Sequence, residues 1–505
     1  MNTHGLRTHA VARDVASVLA LLAVTLVTRL PYFAVSVINW DESTFAILGQ
    51  DLLDGHLPYT HLWDNKPPLV YVMFAFFIYL FGRSVTALRA GGVLCVWAAS
   101  SILYLGVGRR WDRLAGWAAA LVVIVACATL PSGQATMSEH LALVPLSLAL
   151  ISFLDGDVDG GRAFGCGLLL GLCVLVKADT ALLAVGVAIL VFADGGPRLL
   201  ADRVRRIAWL ALGTSAPILT TMAVYAVLGH LDILRITFLD ASFAYVTLRS
   251  ASRRWSIIPQ ILTNLLSPGA SVFLFAIAGI ALIVNNRPEW RRQALVLVAM
   301  SMALLAGGIV AGGGYGHYVL VQAPVVGVAA GLLVRAHRRR RVIVVGLLAL
   351  VVIVSIGGSV RRFIGQIPEQ GVTLHGDLPK RVARYLDSRH AAGQYVFLNT
   401  AHVAGWLSRV EHPSKFVHPS NLMRLALLRA VDGPSASVEG ELRGILSKRP
   451  AFLVLSAGSL EGDDGDGARA AYRRTLVEAT RTNYQLDLRD EDVLIYRRAD
   501  LAPGG

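Results

Sequence analysis

The chain has 505 residues, 55% of them hydrophobic and 16% charged, with mean hydropathy +0.57, net charge +13 and pI near 9.9. Soluble domains carry roughly 25% charged residues, and apolar runs of about 18 residues or more recur from Val15 to Val360. This composition excludes a soluble globular enzyme and predicts a polytopic helical membrane protein, since only helices satisfy their own backbone in a bilayer at such lengths. The basic pI is not a nucleic-acid signature, and no nucleic-acid partner is expected, because arginine is concentrated in short loops between apolar runs, as in cytoplasmic loops of membrane proteins. Cys95, Cys127, Cys166 and Cys173 all fall inside apolar runs without CxxC spacing. They read as buried thiols, not as disulfides or metal ligands.

In chain order the apolar runs are 15–33, 69–81, 88–106, 114–130, 141–154, 164–192, 207–228, 257–284, 294–310, 318–334 and 342–360. The first run has no small-residue cleavage site before the acidic segment that follows, so it reads as a retained span. Run 69–81 is too short to cross and reads as a helix lodged in the outer leaflet. Run 164–192 is long and carries Lys177 and Asp179 at its middle, which predicts two short helices meeting near Lys177. The basic loops 198–206, 286–292 and 337–341 are assigned to the cytoplasmic side. That parity gives about 11 crossings, puts Arg109–Arg113 inside, and puts Arg83, Arg89 and the segments 131–140, 177–179, 230–256 and 312–317 outside.

After residue 360 the long apolar runs stop and charge rises. Short β-rich runs at 395–399, 451–455 and 493–496 predict strands, with helices at 380–387 and 468–478 between them. The expected fold is an all-α polytopic membrane domain over 1–360 and a small C-terminal α/β extracytoplasmic domain over 361–505. The turn-rich loop 462–467 lacks the spacing of an EF-hand, and no internal repeat is evident.

The informative stretch is the first outer loop, 37–68, which contains NWDESTFAILGQDLLDGHLPYTHLWDNKPP. It holds five acids (Asp41, Glu42, Asp51, Asp54, Asp64) against one lysine, Lys66, in a strongly basic chain. Asp41 has two readings: N-cap of a helix over 43–53, or a functional carboxylate at the membrane edge. Glu42 is either a supporting carboxylate or a first-turn complement to the helix dipole. The run Gly55 to Tyr59 breaks the helix, and Pro67-Pro68 fixes an extended approach to the next one.

The ordered pattern Asp41-Glu42, Gly55 with Pro58-Tyr59, Lys66-Pro67-Pro68-Leu69 and then Arg89 resembles the polytopic C-type (GT-C) glycosyltransferases that use polyprenyl-phosphate sugars. The resemblance is to the protein-mannosyltransferase and aminoarabinose-transferase-like group. It spans roughly the first 90 residues, with looser matches at Glu139 and in the segment 315–324. It implies an integral inner-membrane enzyme whose site and tail domain lie on the periplasmic or extracellular side. It implies Asp41 as general base toward an acceptor hydroxyl, with Glu42 in support. Lys66 and Arg89 would bind the donor phosphate, whose growing negative charge needs fixed positive donors; the alternative for each is an interfacial snorkelling anchor.

Tyr59, Asp64, Glu139, His140, His317 and Tyr318 are further substrate-binding candidates. Glu139 and His140 also read as a capping pair, Lys177 and Asp179 as a buried ion pair, and the glycine-rich segment before His317 as a plain flexible loop. Aminoarabinose transferases carry a glutamate, associated with metal binding, immediately before the loop lysine. Asn65 stands there in this chain, so no cofactor is expected, though a divalent metal is compatible with the site.

The implied activity is inverting transfer of a sugar from a polyprenyl monophosphate donor to an envelope acceptor: lipid A or polysaccharide, a glycolipid, or a protein. Membrane lipids are the remaining partners. Two rivals stay open: a lipid-linked oligosaccharide ligase using a diphosphate donor, and a membrane transporter or flippase, which would favour broken helices near mid-bilayer.

Overall fold

The computed structural model describes residues 3–154, 159–193, 200–247, 286–311, 315–369, 376–461 and 467–501, with Val372 and a few single positions between 259 and 283. The expected span at 257–284, the glycines at 312–314 and most of the loop 462–467 lie outside the described residues.

Among the described residues, six helices are long and apolar enough to cross a bilayer: His9–Ala34, Val85–Arg110, Leu200–Val227, Pro288–Val310, Gly316–Ala336 and Arg338–Gly365. Five shorter apolar helices accompany them: Pro68–Phe81, Arg113–Thr129, Ser138–Phe153, Gly160–Val176 and Ala178–Phe192. The described residues are thus mostly helical, with a small sheet near the C-terminus.

The chain divides into two compact units. One comprises residues 1–33, 89–224 and 249–365; the other comprises 34–88, 225–248 and 366–505.

In order, the first nine helices considered are α1 (Thr3–Arg29), α2 (Trp40–Leu53), α3 (Pro68–Phe81), α4 (Val85–Arg110), α5 (Arg113–Thr129), α6 (Ser138–Phe153), α7 (Gly160–Val176), α8 (Ala181–Ala193) and α9 (Leu200–Val227). In the first unit, α5 is buried almost throughout against the helix Ala323–Ala336. Small residues set that contact, as expected where lipid removes the hydrophobic drive between helices. A Cβ on Gly327 would stand 2.6 Å from the Ala119 carbonyl oxygen, and one on Gly331 would stand 2.8 Å from that of Ala115.

The break expected near Lys177 is present. Helix α7 ends at Val176, Lys177 takes an extended conformation, and a short turn over Ala178–Thr180 leads into α8.

In the second unit, α2 and α3 pack side by side, with Phe45 against Tyr71 and Phe74. Gly49 permits their closest approach, since a Cβ there would lie 2.9 Å from the Ala75 backbone nitrogen. Val70, Tyr71, Phe74, Phe77 and Ile78 of α3 are buried, whereas Val72, Phe76, Tyr79, Leu80 and Phe81 are exposed. A helix of 14 residues with apolar side chains on both faces suits contact with protein on one side and lipid on the other.

The C-terminal sheet has four strands in the order β1 (Val396–Leu398), β2 (Phe452–Ser456), β4 (Val493–Arg498), β3 (Tyr484–Asp490). Strand β1 runs parallel to β2, and the other pairings are antiparallel. Strand β3, YQLDLRD, corrects the three-strand expectation. It is an edge strand, partly exposed, whose polar composition hides it from a search for apolar runs. The expected helices are present as Leu378–Ser388 and Gly467–Thr482.

Candidate functional site

The site in the second unit is built on the first turn of α2. Asn39, not Asp41, is the N-cap: its side chain accepts from the Asp41 N–H at 3.0 Å. The N-cap alternative for Asp41 is therefore corrected, because the helix begins at Trp40, before Asp41, rather than after it. Fully buried Glu42 closes a capping box, accepting from the Ile38 and Asn39 N–H groups at 2.8 and 3.4 Å. These contacts hold the turn and leave the Asp41 carboxylate projecting from it.

One lysine and one imidazole flank that carboxylate. Asp41 Oδ2 lies 3.4 Å from Lys66 Nζ, and Asp41 Oδ1 lies 3.4 Å from His418 Nε2. Lys66 is presented by a tightly bonded loop. Its carbonyl accepts from the Tyr59 hydroxyl at 2.6 Å and the Tyr71 hydroxyl at 3.3 Å. Burial first, then neighbouring Tyr225 and Asp64, raise the Tyr59 phenol well above its usual range, so it stays a donor. Asp64 is buried and accepts from Tyr71 at 3.1 Å and from Asn421 at 2.8 Å. Trp63 is buried too; its N–H donates to the Lys415 carbonyl at 2.8 Å and its indole to Thr237 at 3.1 Å.

The tail segment around residues 411–421 thus clamps the loop that presents Lys66. Next to it His402 reaches Thr44 Oγ1 at 3.1 Å, and its ring packs edge-on to Trp40. Burial, then the charge of His418, push the His402 imidazole down to about 3, so it is neutral at ordinary pH. A cavity of about 320 Å³ opens beside Trp40, Asp377, Thr400 and His402.

The first unit gathers the other predicted residues. Lys177 Nζ lies 3.0 Å from both Glu139 Oε1 and Asp179 Oδ2, and 4.0 Å above the Tyr318 ring. His317 Nε2 stands 4.0 Å from the same Glu139 oxygen. The pair expected between Lys177 and Asp179 is therefore part of a larger buried cluster with three of the predicted substrate-binding residues. His140 is fully buried: Nδ1 accepts from the Met137 N–H at 3.3 Å, and Nε2 bonds to the Gly133 carbonyl at 2.8 Å. Both ring nitrogens are engaged by backbone, which realises the capping alternative.

Arg89 is 1% exposed and donates from Nε to the Tyr32 carbonyl at 3.2 Å, so it is not a snorkelling surface anchor. Tyr32 in turn lines an apolar cavity of about 400 Å³ with Val24, Val27, Ile356 and Phe363. Arg29, which no sequence motif marks, is buried and tied to the carbonyls of Gly133, Gln134 and Ala135.

His402, His418 and Asn421 were also missed. The one signal available was compositional: four of the thirteen histidines fall between positions 390 and 418.

Residues 65–225 match the family model of dolichyl-phosphate-mannose-protein mannosyltransferases. Among solved structures, apo ArnT from Cupriavidus metallidurans is similar with a TM-score of 0.61 at 15% identity, over 97% of this chain and 98% of that one. The same protein bound to undecaprenyl phosphate gives a TM-score of 0.59 at 16% identity, over 98% and 99%. At these identities the likeness establishes the fold, which is of the C type, and the resemblance drawn from the first 90 residues is borne out. No curated protein matches the sequence.

Proposed function

We propose that this chain, which resembles the C-type membrane glycosyltransferases in family model and in fold, transfers a sugar from a polyprenyl monophosphate to a hydroxyl of an envelope acceptor on the outer membrane face. The observation that carries the proposal is the Asp41 carboxylate held between Lys66 and His418 at the start of α2.

Asp41 acts as general base. Its oxygen takes the acceptor hydroxyl proton as that hydroxyl attacks the anomeric carbon, and the bond to the lipid phosphate breaks with inversion. His418 orients the carboxylate on one oxygen, while Lys66 sits at the other. As the leaving phosphate gains charge, fixed cations stabilise it; Lys66 and Arg89 are assigned that role. The apolar cavity beside Tyr32, whose carbonyl Arg89 holds, has the chemistry of a carrier-chain groove. The cavity beside Trp40 suits an acceptor, because an exposed indole offers a flat face to a sugar ring. Tyr59 and Asp64 support Lys66 rather than touch substrate. Glu139, His317 and Tyr318 remain substrate-binding candidates through their shared cluster with Lys177.

A monophosphate donor fits better than a diphosphate, since the assigned cations are only Lys66 and Arg89. The test uses purified protein with the same sugar on polyprenyl monophosphate and on polyprenyl diphosphate. Product from the monophosphate alone supports the proposal. Product from the diphosphate alone would favour an oligosaccharide ligase, and donor movement across proteoliposomes with no glycosidic product would favour a flippase.

A further inference from the structure

We propose that Asp51, His56 and His61 form a divalent-cation site of the zinc type at the C-terminal end of α2. The helix closes at Asp54, and Gly55, at φ +99, reverses the chain so that the His56 N–H returns to the Asp51 carbonyl at 3.0 Å. A second reversal at Tyr59, φ +74, brings His61 back to the same place. Asp51 Oδ1 then faces His56 Nδ1 at 2.9 Å and His61 Nδ1 at 2.6 Å, and the two rings lie 4.4 Å apart. The three ligand atoms fall within 4.8 Å of one another, on a buried carboxylate and two imidazoles that reach solvent.

Two imidazole nitrogens and one carboxylate oxygen are a donor set for zinc and its neighbours. Magnesium and calcium prefer all-oxygen shells. Tetrahedral ligation at about 2.1 Å separates ligand atoms by about 3.4 Å. Reaching it requires the half-exposed rings to swing by less than about 1 Å, with water completing the open side. Binding would move the Nδ1 protons to Nε2 and leave both imidazoles neutral.

Asp51 stands ten residues beyond Asp41, about 15 Å along the helix, so this ion does not sit on the Asp41 carboxylate. It would instead cross-link the end of α2 to the loop that leads to Asp64 and Lys66. The assignment is independent of the transfer reaction.

The test uses the full-length protein in detergent, stripped with chelator and titrated with Zn²⁺ against a chromophoric competitor. The expected result is one equivalent bound, weakened by ~10-fold or more in His56→Ala and in His61→Asn and unchanged in His9→Ala. Zn²⁺ should raise the melting temperature of the wild type but not of the two site variants, which separates loss of the site from misfolding. Loading with Co²⁺ should give visible d–d bands that both variants lose. No stoichiometric Zn²⁺ binding by the wild type, equal binding by the variants, or displacement of Zn²⁺ by equimolar Mg²⁺ would overturn the proposal.

Discussion

Asn421→Leu is the most informative change in the clamp between the tail and the outer loop. Its side-chain amide gives the buried Asp64 carboxylate one of two hydrogen bonds, at 2.8 Å, the other coming from Tyr71. A hydrogen bond to a charged group is worth about 1.5–3 kcal/mol, and loss of one partner leaves the charge under-solvated. Taking ~2 kcal/mol, local opening of the loop rises by ~30-fold, since 1.36 kcal/mol is a factor of ten. Hydrogen exchange read by mass spectrometry should therefore show amides of residues 60–66 exchanging ~30-fold faster, with the sheet strands unchanged. Tyr71→Phe should act in the same direction, and the double variant should be less than additive because both contacts end on one carboxylate. Unaltered exchange over residues 60–66 in Asn421→Leu would refute the clamp. So would equal acceleration everywhere, because that reports global destabilisation.

Three further outcomes follow from the geometry. Lys66→Met and Arg89→Met should each lower the turnover rate by ~100-fold or more, the scale of losing one fixed donor to a developing charge; steady-state kinetics that change only the acceptor KM would contradict their assignment. His402 is neutral when folded because its pKa lies far below the unfolded value of about 6.5. Its contribution is intact above that value and erodes as pH falls toward the folded one, by about 2 kcal/mol at pH 5. His402→Phe should therefore flatten the loss of melting temperature between pH 7 and 5, and a slope as steep as wild type would count against it. Gly331→Leu forces a side chain against the Ala115 carbonyl and should cost about 1–3 kcal/mol or more by overpacking, visible as a lower melting temperature in detergent; an unchanged value would mean that α5 and the helix Ala323–Ala336 have room to separate.

Much of the fold was legible because its signals are local. Lys177 and Asp179 inside an apolar run mark a helix break, since charge in hydrocarbon is costly unless paired. The double proline after Lys66 marks a helix start, and Pro68 occupies its first turn. The site was half legible. Asp41, Lys66 and Tyr59 announce themselves by spacing within thirty residues. His418 and Asn421 come from more than 350 residues away, and no local periodicity carries information about which tail side chains meet the loop. Glu42 and Arg89 looked alike in sequence, as charges at membrane edges. Burial distinguishes them from surface charges, and burial is a property of packing. Strand β3 escaped because an edge strand can be polar on the face it leaves open.

The most direct test of the central claim is transfer by Asp41→Asn in purified, correctly inserted protein. The change keeps shape and removes the base. The account predicts loss of glycosidic product to background while the polyprenyl monophosphate donor still binds with wild-type affinity. Turnover within a few-fold of wild type would contradict it.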